Sequence, residues 1–264
     1  SLSWLDSVQQ VGSRTDDKSP TGTCVLTKSE RCKNQLKNAK YAFLEMSGGG
    51  GAGIRNLDIS NLTSLEQMFR SASGFTSDIS NWQTGHIENM SGIFRLASAF
   101  NAPIVNWDTS NVTDLSYAFY GAENFDQDIS TKFVDSGSYV AWNTSKVEKM
   151  NYAFASPRDG SNGAIGNWDT SSVQNLSYMF ECNLKFDQDI NTKAVNVNGS
   201  EYIAWDVSEV SHMNGVFKYA SAFDSPLNNW DTSKVTTMGS MFQEARAFNQ
   251  PINTAVVEVA GEKY

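Results

Sequence analysis

The chain repeats its apolar positions at long range. From Phe43 onward a phenylalanine recurs at 69, 94, 119, 154, 180, 217 and 242, and a second follows six residues after most of these, at Phe75, Phe100, Phe125, Phe186, Phe223 and Phe248. A large residue opens each unit at Leu57, Trp82, Trp107, Trp142, Trp168, Trp205 and Trp230, followed by an aliphatic pair three apart, as in Val112/Leu115, Val173/Leu176 and Val210/Met213. Where nothing intervenes the spacing is 25 residues, as from Trp82 to Trp107 and from Trp205 to Trp230, or 26, from Trp142 to Trp168. A fixed period of this size decides the architecture before local propensity does.

One unit cannot bury its own Phe, Trp and Met side chains, whereas stacked neighbours give them a continuous dry interior. The period therefore predicts a solenoid of about eight coils, mainly β with short helical turns. Within a coil we expect a short parallel strand around Phe-Xaa-Xaa-Xaa-Ile, a turn at Asn-Trp-Asp-Thr-Ser, an extended Val-Xaa-Xaa-Met and a helical turn through Ser-Tyr-Met-Phe-Xaa-Xaa-Ala. The glycines from Gly48 to Gly51 read as a loop inside one coil, because Ala52 to Asp58 aligns with Gly163 to Asp169.

Two intervals are longer: Trp107 to Trp142 spans 35 residues and Trp168 to Trp205 spans 37. The additional residues, Thr131 to Val140 and Thr192 to Ile203, alternate around a glycine-containing turn, as a β-hairpin does. A third insertion of this kind starts at Thr254 and reaches Tyr264. Residues 1–31 fit no repeat and suit an N-terminal capping segment in which Trp4, Leu5 and Val8 close the first coil. The solenoid is then 32–264, with its C-terminal repeat incomplete, since the sequence stops before the next expected Trp. The start at Ser1, without a Met or a signal-like segment, reads as a mature or excised piece.

At 264 residues and 40% hydrophobic content the chain can bury a substantial core. A formal net charge of −9 argues against nucleic acid and anionic membrane surfaces as partners. No run of roughly 18 apolar residues is available to span a bilayer. His86 and His212 occupy the same solvated place in their repeats, and no nucleophile motif, phosphate loop or Cys/His metal spacing occurs. An enzyme is not expected. Asp58, Asp108, Asp169, Asp206 and Asp231, each two before Ser, read as turn-capping carboxylates. A calcium ladder is the alternative role for them, but it lacks the spacing of a calcium loop; no cofactor is expected. Asn56, Asn81, Asn106, Asn167 and Asn229 read as a ladder satisfying backbone groups in the turn. Cys182 is aligned with Ala97, Ala122, Ala220 and Ala245, and so reads as a buried small apolar thiol.

The motif Phe-Asp-Gln-Asp-Ile followed by Trp-Asp-Thr-Ser-Xaa-Val-Xaa-Xaa-Met-Ser-Tyr-Met-Phe is carried by Phe125 to Ile129, Trp168 to Phe180 and Trp230 to Phe242. It resembles the bacterial surface-protein repeat family, the BspA-type branch of leucine-rich-repeat-like proteins, from about Leu36 to the end. The resemblance implies a leucine-rich-repeat-like right-handed solenoid and an extracellular or cell-surface location, with adhesion as the expected role. In that setting Cys24 and Cys32 are expected to form a small loop-closing disulfide.

Insertions in a solenoid emerge on one face and often form its binding face. Tyr139 and Tyr202 hold matching places in the two hairpins, and Asp126, Asp128, Asp187 and Asp189 precede those hairpins. These six are the candidate ligand-binding residues; the tyrosines have an equally good structural role in pinning each hairpin to the solenoid. The expected function is a non-enzymatic binding or adhesion module that contacts a protein or a glycan through the hairpin-bearing face. The alternatives are an architectural subunit of a larger surface assembly and, more weakly, an ice- or mineral-binding surface built on Thr84, Thr109, Thr144, Thr170 and Thr232.

Overall fold

The computed structural model describes residues 39–48, 52–134, 138–157 and 161–252, together with the backbone of 258–259 and 262–263. The expected N-terminal cap, the Cys24–Cys32 disulfide and Tyr264 lie outside the described residues. The architecture is mainly non-helical. Among the described residues, regular elements are one helical turn, α1 (Ala52–Arg55), and six short strands. The strands pair antiparallel as β1 (Lys132–Val134) with β2 (Tyr139–Ala141), β3 (Lys193–Val197) with β4 (Ser200–Ala204), and β5 (Glu258–Val259) with β6 (Glu262–Lys263). The hairpins thus form where the repeat spacing lengthens, and no strand continues from one hairpin to the next.

Successive repeats lie in register. Single parallel bridges link Ser64 to Asn89, Asn89 to Asp114, Asp114 to Lys149, Lys149 to Asn175, Asn175 to His212 and His212 to Thr237. The bridging residue falls inside the expected extended Val-Xaa-Xaa-Met segment. The expected parallel strand at Phe-Xaa-Xaa-Xaa-Ile does not form. There the neighbour's backbone is met by a side chain: Asn101, Asp126, Asn162, Asp187 and Asp224 each accept, through Oδ1, the N–H of the matching residue in the next repeat, at 2.7–3.1 Å. An Asx ladder has replaced a carbonyl ladder.

The expected helical turn is also corrected. The segment after the bridge is a run of turns in which two residues four apart have positive φ in every repeat: Gln67 and Ser71, Tyr117 and Gly121, Tyr152 and Ser156, Tyr178 and Cys182, Gly215 and Tyr219. A left-handed residue twice per segment is incompatible with a right-handed helix, and for a non-glycine residue it costs about 1–3 kcal/mol. The offset comes from the neighbouring repeat. The N–H groups of Leu115, Tyr117, Phe119 and Gly121 point sideways and donate to the carbonyls of Lys149, Asn151, Ala153 and Ala155, while those of Ala118, Tyr120 and Ala122 close turns within the segment. Each repeat therefore satisfies half of this backbone only against the next.

The core consists of columns of rings. Phe43, Phe69, Phe94, Phe119, Phe154, Phe180, Phe217 and Phe242 stack with centroids 5.0–6.0 Å apart. The second phenylalanine of each repeat packs beside the first, as Phe94 does on Phe100 at 3.7 Å. Every repeat tryptophan donates its indole N–H to an isoleucine carbonyl of the previous repeat: Trp82 to Ile54, Trp107 to Ile79, Trp142 to Ile104, Trp168 to Ile129, Trp205 to Ile165 and Trp230 to Ile190. A large apolar body is thereby buried without orphaning its polar tip.

The second phenylalanine column breaks once. Ser161 stands between Phe125 and Phe186, beside a cavity of about 10 Å³ that those rings line with Phe154, Ile129 and Ile165. Asn183, fully buried, answers the change by accepting the Ser161 N–H at 3.0 Å. Asn183, and not Cys182, is the residue aligned with Ala97 and Ala122. Cys182 sits one place earlier, half-buried at a left-handed position with φ 57°, as a free thiol whose pKa burial raises.

Candidate functional site

The four carboxylates expected to meet a ligand are exposed, and each already has a structural task. Asp126 and Asp187 belong to the Asx ladder described above. Asp128 and Asp189 accept the N–H two residues on, from Ser130 and Asn191, as Asx turns, and Asp189 also holds Lys193 Nζ at 2.6 Å. Asp58, Asp108, Asp169, Asp206 and Asp231 make the same turn with Ser60, Ser110, Ser171, Ser208 and Ser233, as their spacing predicts. Among the described residues no group of three or more His, Cys, Asp and Glu is placed to hold a metal ion.

The hairpin tyrosines are pinned to the body of the fold. Tyr139 donates its hydroxyl to the Asn106 carbonyl, and Tyr202 to that of Asn167. Burial raises the pKa of both phenols. Asparagine side chains of the next repeat brace the base of each of these two hairpins: Asn167 Nδ2 donates to the Thr131 carbonyl while its Oδ1 accepts the Thr131 N–H, and Asn229 Nδ2 donates to the Thr192 carbonyl. The expected asparagine ladder thus exists at hairpin bases. Four of the five threonines of the expected row face inward: Thr84, Thr109, Thr144 and Thr170 are buried, with their hydroxyls donated to the carbonyls of Asp108, Asn143, Asp169 and Asp206, so these four form no surface for ice or mineral, and Thr232 alone is exposed.

A different face gathers binding chemistry. The turn segments of successive repeats bring Tyr117, Tyr152 and Tyr178 into a stack with centroids 4.7 and 4.8 Å apart. Tyr120 lies edge-on to Tyr152 at 6.3 Å. The Arg95 guanidinium lies 4.9 Å from the Tyr117 ring and 5.3 Å from that of Tyr120, and at the other end Lys218 lies over Tyr178 and Tyr219. Glycines allow the close approach of neighbouring repeats on this face. A Cβ on Gly215 would come within 2.5 Å of the Tyr178 ring, and one on Gly121 within 2.7 Å of Leu96 Cδ2.

The environment of this stack is partly dry. Burial, followed by the proximity of Tyr117, Glu181 and Tyr178 and opposed by Lys218, pushes the Tyr152 phenol up to about 12. Arg95 Nε is buried without a hydrogen-bond partner. Among the described residues no protein group hydrogen-bonds the hydroxyls of Tyr117, Tyr120, Tyr152, Tyr178 or Tyr219. Sequence reasoning missed this face because Tyr117, Tyr152 and Tyr178 occupy a repeat position that holds Tyr41, Gln67, Gly92, Gly215 and Ser240 in the other repeats. The available signal was the run of three tyrosines at 117, 152 and 178 in consecutive repeats.

Comparison with known proteins returns one family model, which matches residues 37–141, 132–203 and 193–262 and is described as Mycoplasma protein of unknown function, DUF285. No curated protein and no solved structure matches the chain.

Proposed function

The chain belongs to the DUF285 family, and we propose that it is a non-enzymatic binding or adhesion module, secreted or held at a cell surface, whose ligand is a protein or a glycan. In this reading the fold is a leucine-rich-repeat-like right-handed solenoid of about eight coils, of the BspA surface-protein type. The bridges from Ser64 to Thr237 and the unbroken first phenylalanine column support the stacked architecture. The observation that carries the functional reading is the Tyr117–Tyr152–Tyr178 stack with its free hydroxyls and flanking cations. Tyr supplies rigid contact area at low entropic cost, and Tyr and Arg are enriched among the residues that dominate interface energetics. Because the hairpin tyrosines and neighbouring carboxylates are engaged internally, the turn face replaces the hairpin face as the contact surface of this proposal.

The test is saturable binding of the purified chain to arrays of extracellular proteins and of glycans. The expected result is a specific partner whose binding is lost in Tyr120→Ala/Tyr152→Ala and retained in Tyr139→Phe. No partner on either array would overturn the module reading. An architectural subunit is the second reading. It is favoured by Phe133, 37% exposed in the middle of β1, which offers an apolar contact to a neighbouring subunit.

A further inference from the structure

We propose that the corner of the turn face formed by Arg70, Arg95, Tyr117 and Tyr120 docks a carboxylate-bearing segment of a partner protein. This inference rests on the binding-module reading and names the partner's chemistry.

Arg70 and Arg95 hold the same place in consecutive repeats, whose backbones touch where the Ser71 N–H donates to the Arg95 carbonyl at 2.7 Å. Neither has a carboxylate within ion-pairing distance among the described residues, although the chain has 29 acidic side chains against 20 basic ones. Other cations of the turn segments behave differently: Lys40 pairs with Glu66 at 2.6 Å and, at the far end of the tyrosine stack, Lys218 pairs with Glu181 at 2.9 Å. Two adjacent unpaired arginines in an acidic protein form a local positive site that a carboxylate complements.

Both arginines are also held in place. Arg70 Nη1 donates to Gln67 Oε1 at 2.9 Å, and Arg95 is fixed against two tyrosine rings, so little side-chain freedom remains to be lost on docking. Leu96, 41% exposed, adds apolar area beside them. The ring arrangement favours a protein over a sugar. Arg95 comes from the repeat before Tyr117 and Tyr152 from the repeat after it, so both faces of the Tyr117 ring are covered and no flat surface is left for a pyranose to stack on. What remains outward is ring edge, hydroxyl and guanidinium, which suit a carboxylate flanked by apolar side chains.

The experiment uses the whole chain and fluorescence anisotropy with three probes: a peptide alternating glutamate and leucine, its glutamine-and-leucine counterpart, and an oligosaccharide ending in a carboxylate-bearing sugar. The glutamate peptide should bind, more weakly at high salt, and the glutamine peptide should bind about tenfold more weakly or worse, the loss expected when a charge-assisted contact disappears. Arg70→Gln/Arg95→Gln should lose about the same factor, Arg95→Lys should lose part of it because it cannot fork onto a carboxylate, and Tyr139→Phe should lose nothing. The two arginine variants should keep the parent's melting temperature, and Tyr139→Phe should lower it only slightly, by the hydrogen bond it gives up to the Asn106 carbonyl.

Equal affinity for the two peptides, no binding of the glutamate peptide, or unchanged binding by the double arginine variant would overturn the proposal. Binding of the oligosaccharide alone, lost in that variant, would place the carboxylate on a glycan and also overturn it. If an array partner is found and the double variant still binds it, this inference falls while the module reading stands; if the parent chain binds nothing, both fall.

Discussion

The indole N–H of Trp168 donates to the carbonyl of Ile129 at 2.8 Å, across 39 residues of sequence. The same bond recurs at every described repeat tryptophan, so each repeat is bolted to the one before it by a buried side chain as well as by backbone. In a stacked array stability is approximately a sum of repeat and interface contributions. A defect at one interface therefore acts on both flanking units.

Trp168→Phe keeps most of the apolar body and removes the donor, leaving a buried carbonyl unpaired. The expected cost is about 1–3 kcal/mol. Trp168→Ala adds a cavity and should cost about 3–5 kcal/mol. Urea denaturation followed by circular dichroism measures both; a Phe variant as stable as the parent would show that the bond contributes nothing net.

Asn183 and Ser161 make a second test, since they replace an alanine and a phenylalanine of the repeat together. Asn183→Ala restores the repeat consensus at its own position but orphans the Ser161 N–H, which is buried. It should therefore destabilise by about 1–3 kcal/mol, although Ala is the residue found at that place in other repeats. A stabilised Asn183→Ala would mean that consensus outweighs pairing here.

These residues also mark the limit of what the sequence made legible. Phenylalanine and tryptophan spacing predicted the stacked columns, and the longer intervals predicted the β1–β2 and β3–β4 hairpins, because apolar burial and hairpin turns are both written in local chemistry. The backbone path of the turn segment was not legible. Its left-handed residues, Tyr117 and Tyr178 among them, have no conformational preference of their own for that region, and only the carbonyls of the next repeat hold them there. The same dependence on a neighbour explains the missing strand at Phe-Xaa-Xaa-Xaa-Ile, where Asx side chains took over the lateral bonds. Cys182 was misplaced by one position because the Asn183–Ser161 pair disguises the alanine register. The exposed carboxylates looked available since a sequence shows acidity but not occupancy. The tyrosine stack was hidden for the opposite reason, each member being an ordinary variation until the repeats are superposed.

The hairpin clamp gives a third expectation. Tyr202→Phe retains the ring against the fold and deletes the hydroxyl that reaches the Asn167 carbonyl. Global stability should fall by only about 0.5–1.5 kcal/mol, while amide exchange in β3 and β4 should quicken relative to the phenylalanine columns, since local opening is set by local contacts. Uniform quickening across the chain would show that the hairpin is integral to the cooperative unit.

The Tyr152 phenol predicts the alkaline behaviour of the turn face. Its pKa in the folded protein is about 12, above the ordinary phenolic value of 10.0, mainly because burial disfavours the charged form. A raised folded-state pKa means that the folded protein holds this proton more tightly than the unfolded chain. The resulting stabilisation is fully present below pH 10.0 and is lost as the pH rises through about 12. Tyr152→Phe keeps the stack with Tyr117 and Tyr178 but has no proton to lose, so it should match the parent at neutral pH and exceed it in stability between these two values. Ultraviolet titration of phenolate should show one ionisation fewer at the high end in the variant. Parallel stability curves for the two proteins up to about pH 12 would mean that the Tyr152 hydroxyl is solvated, and that the stack presents a wetter surface to its partner than the geometry indicates.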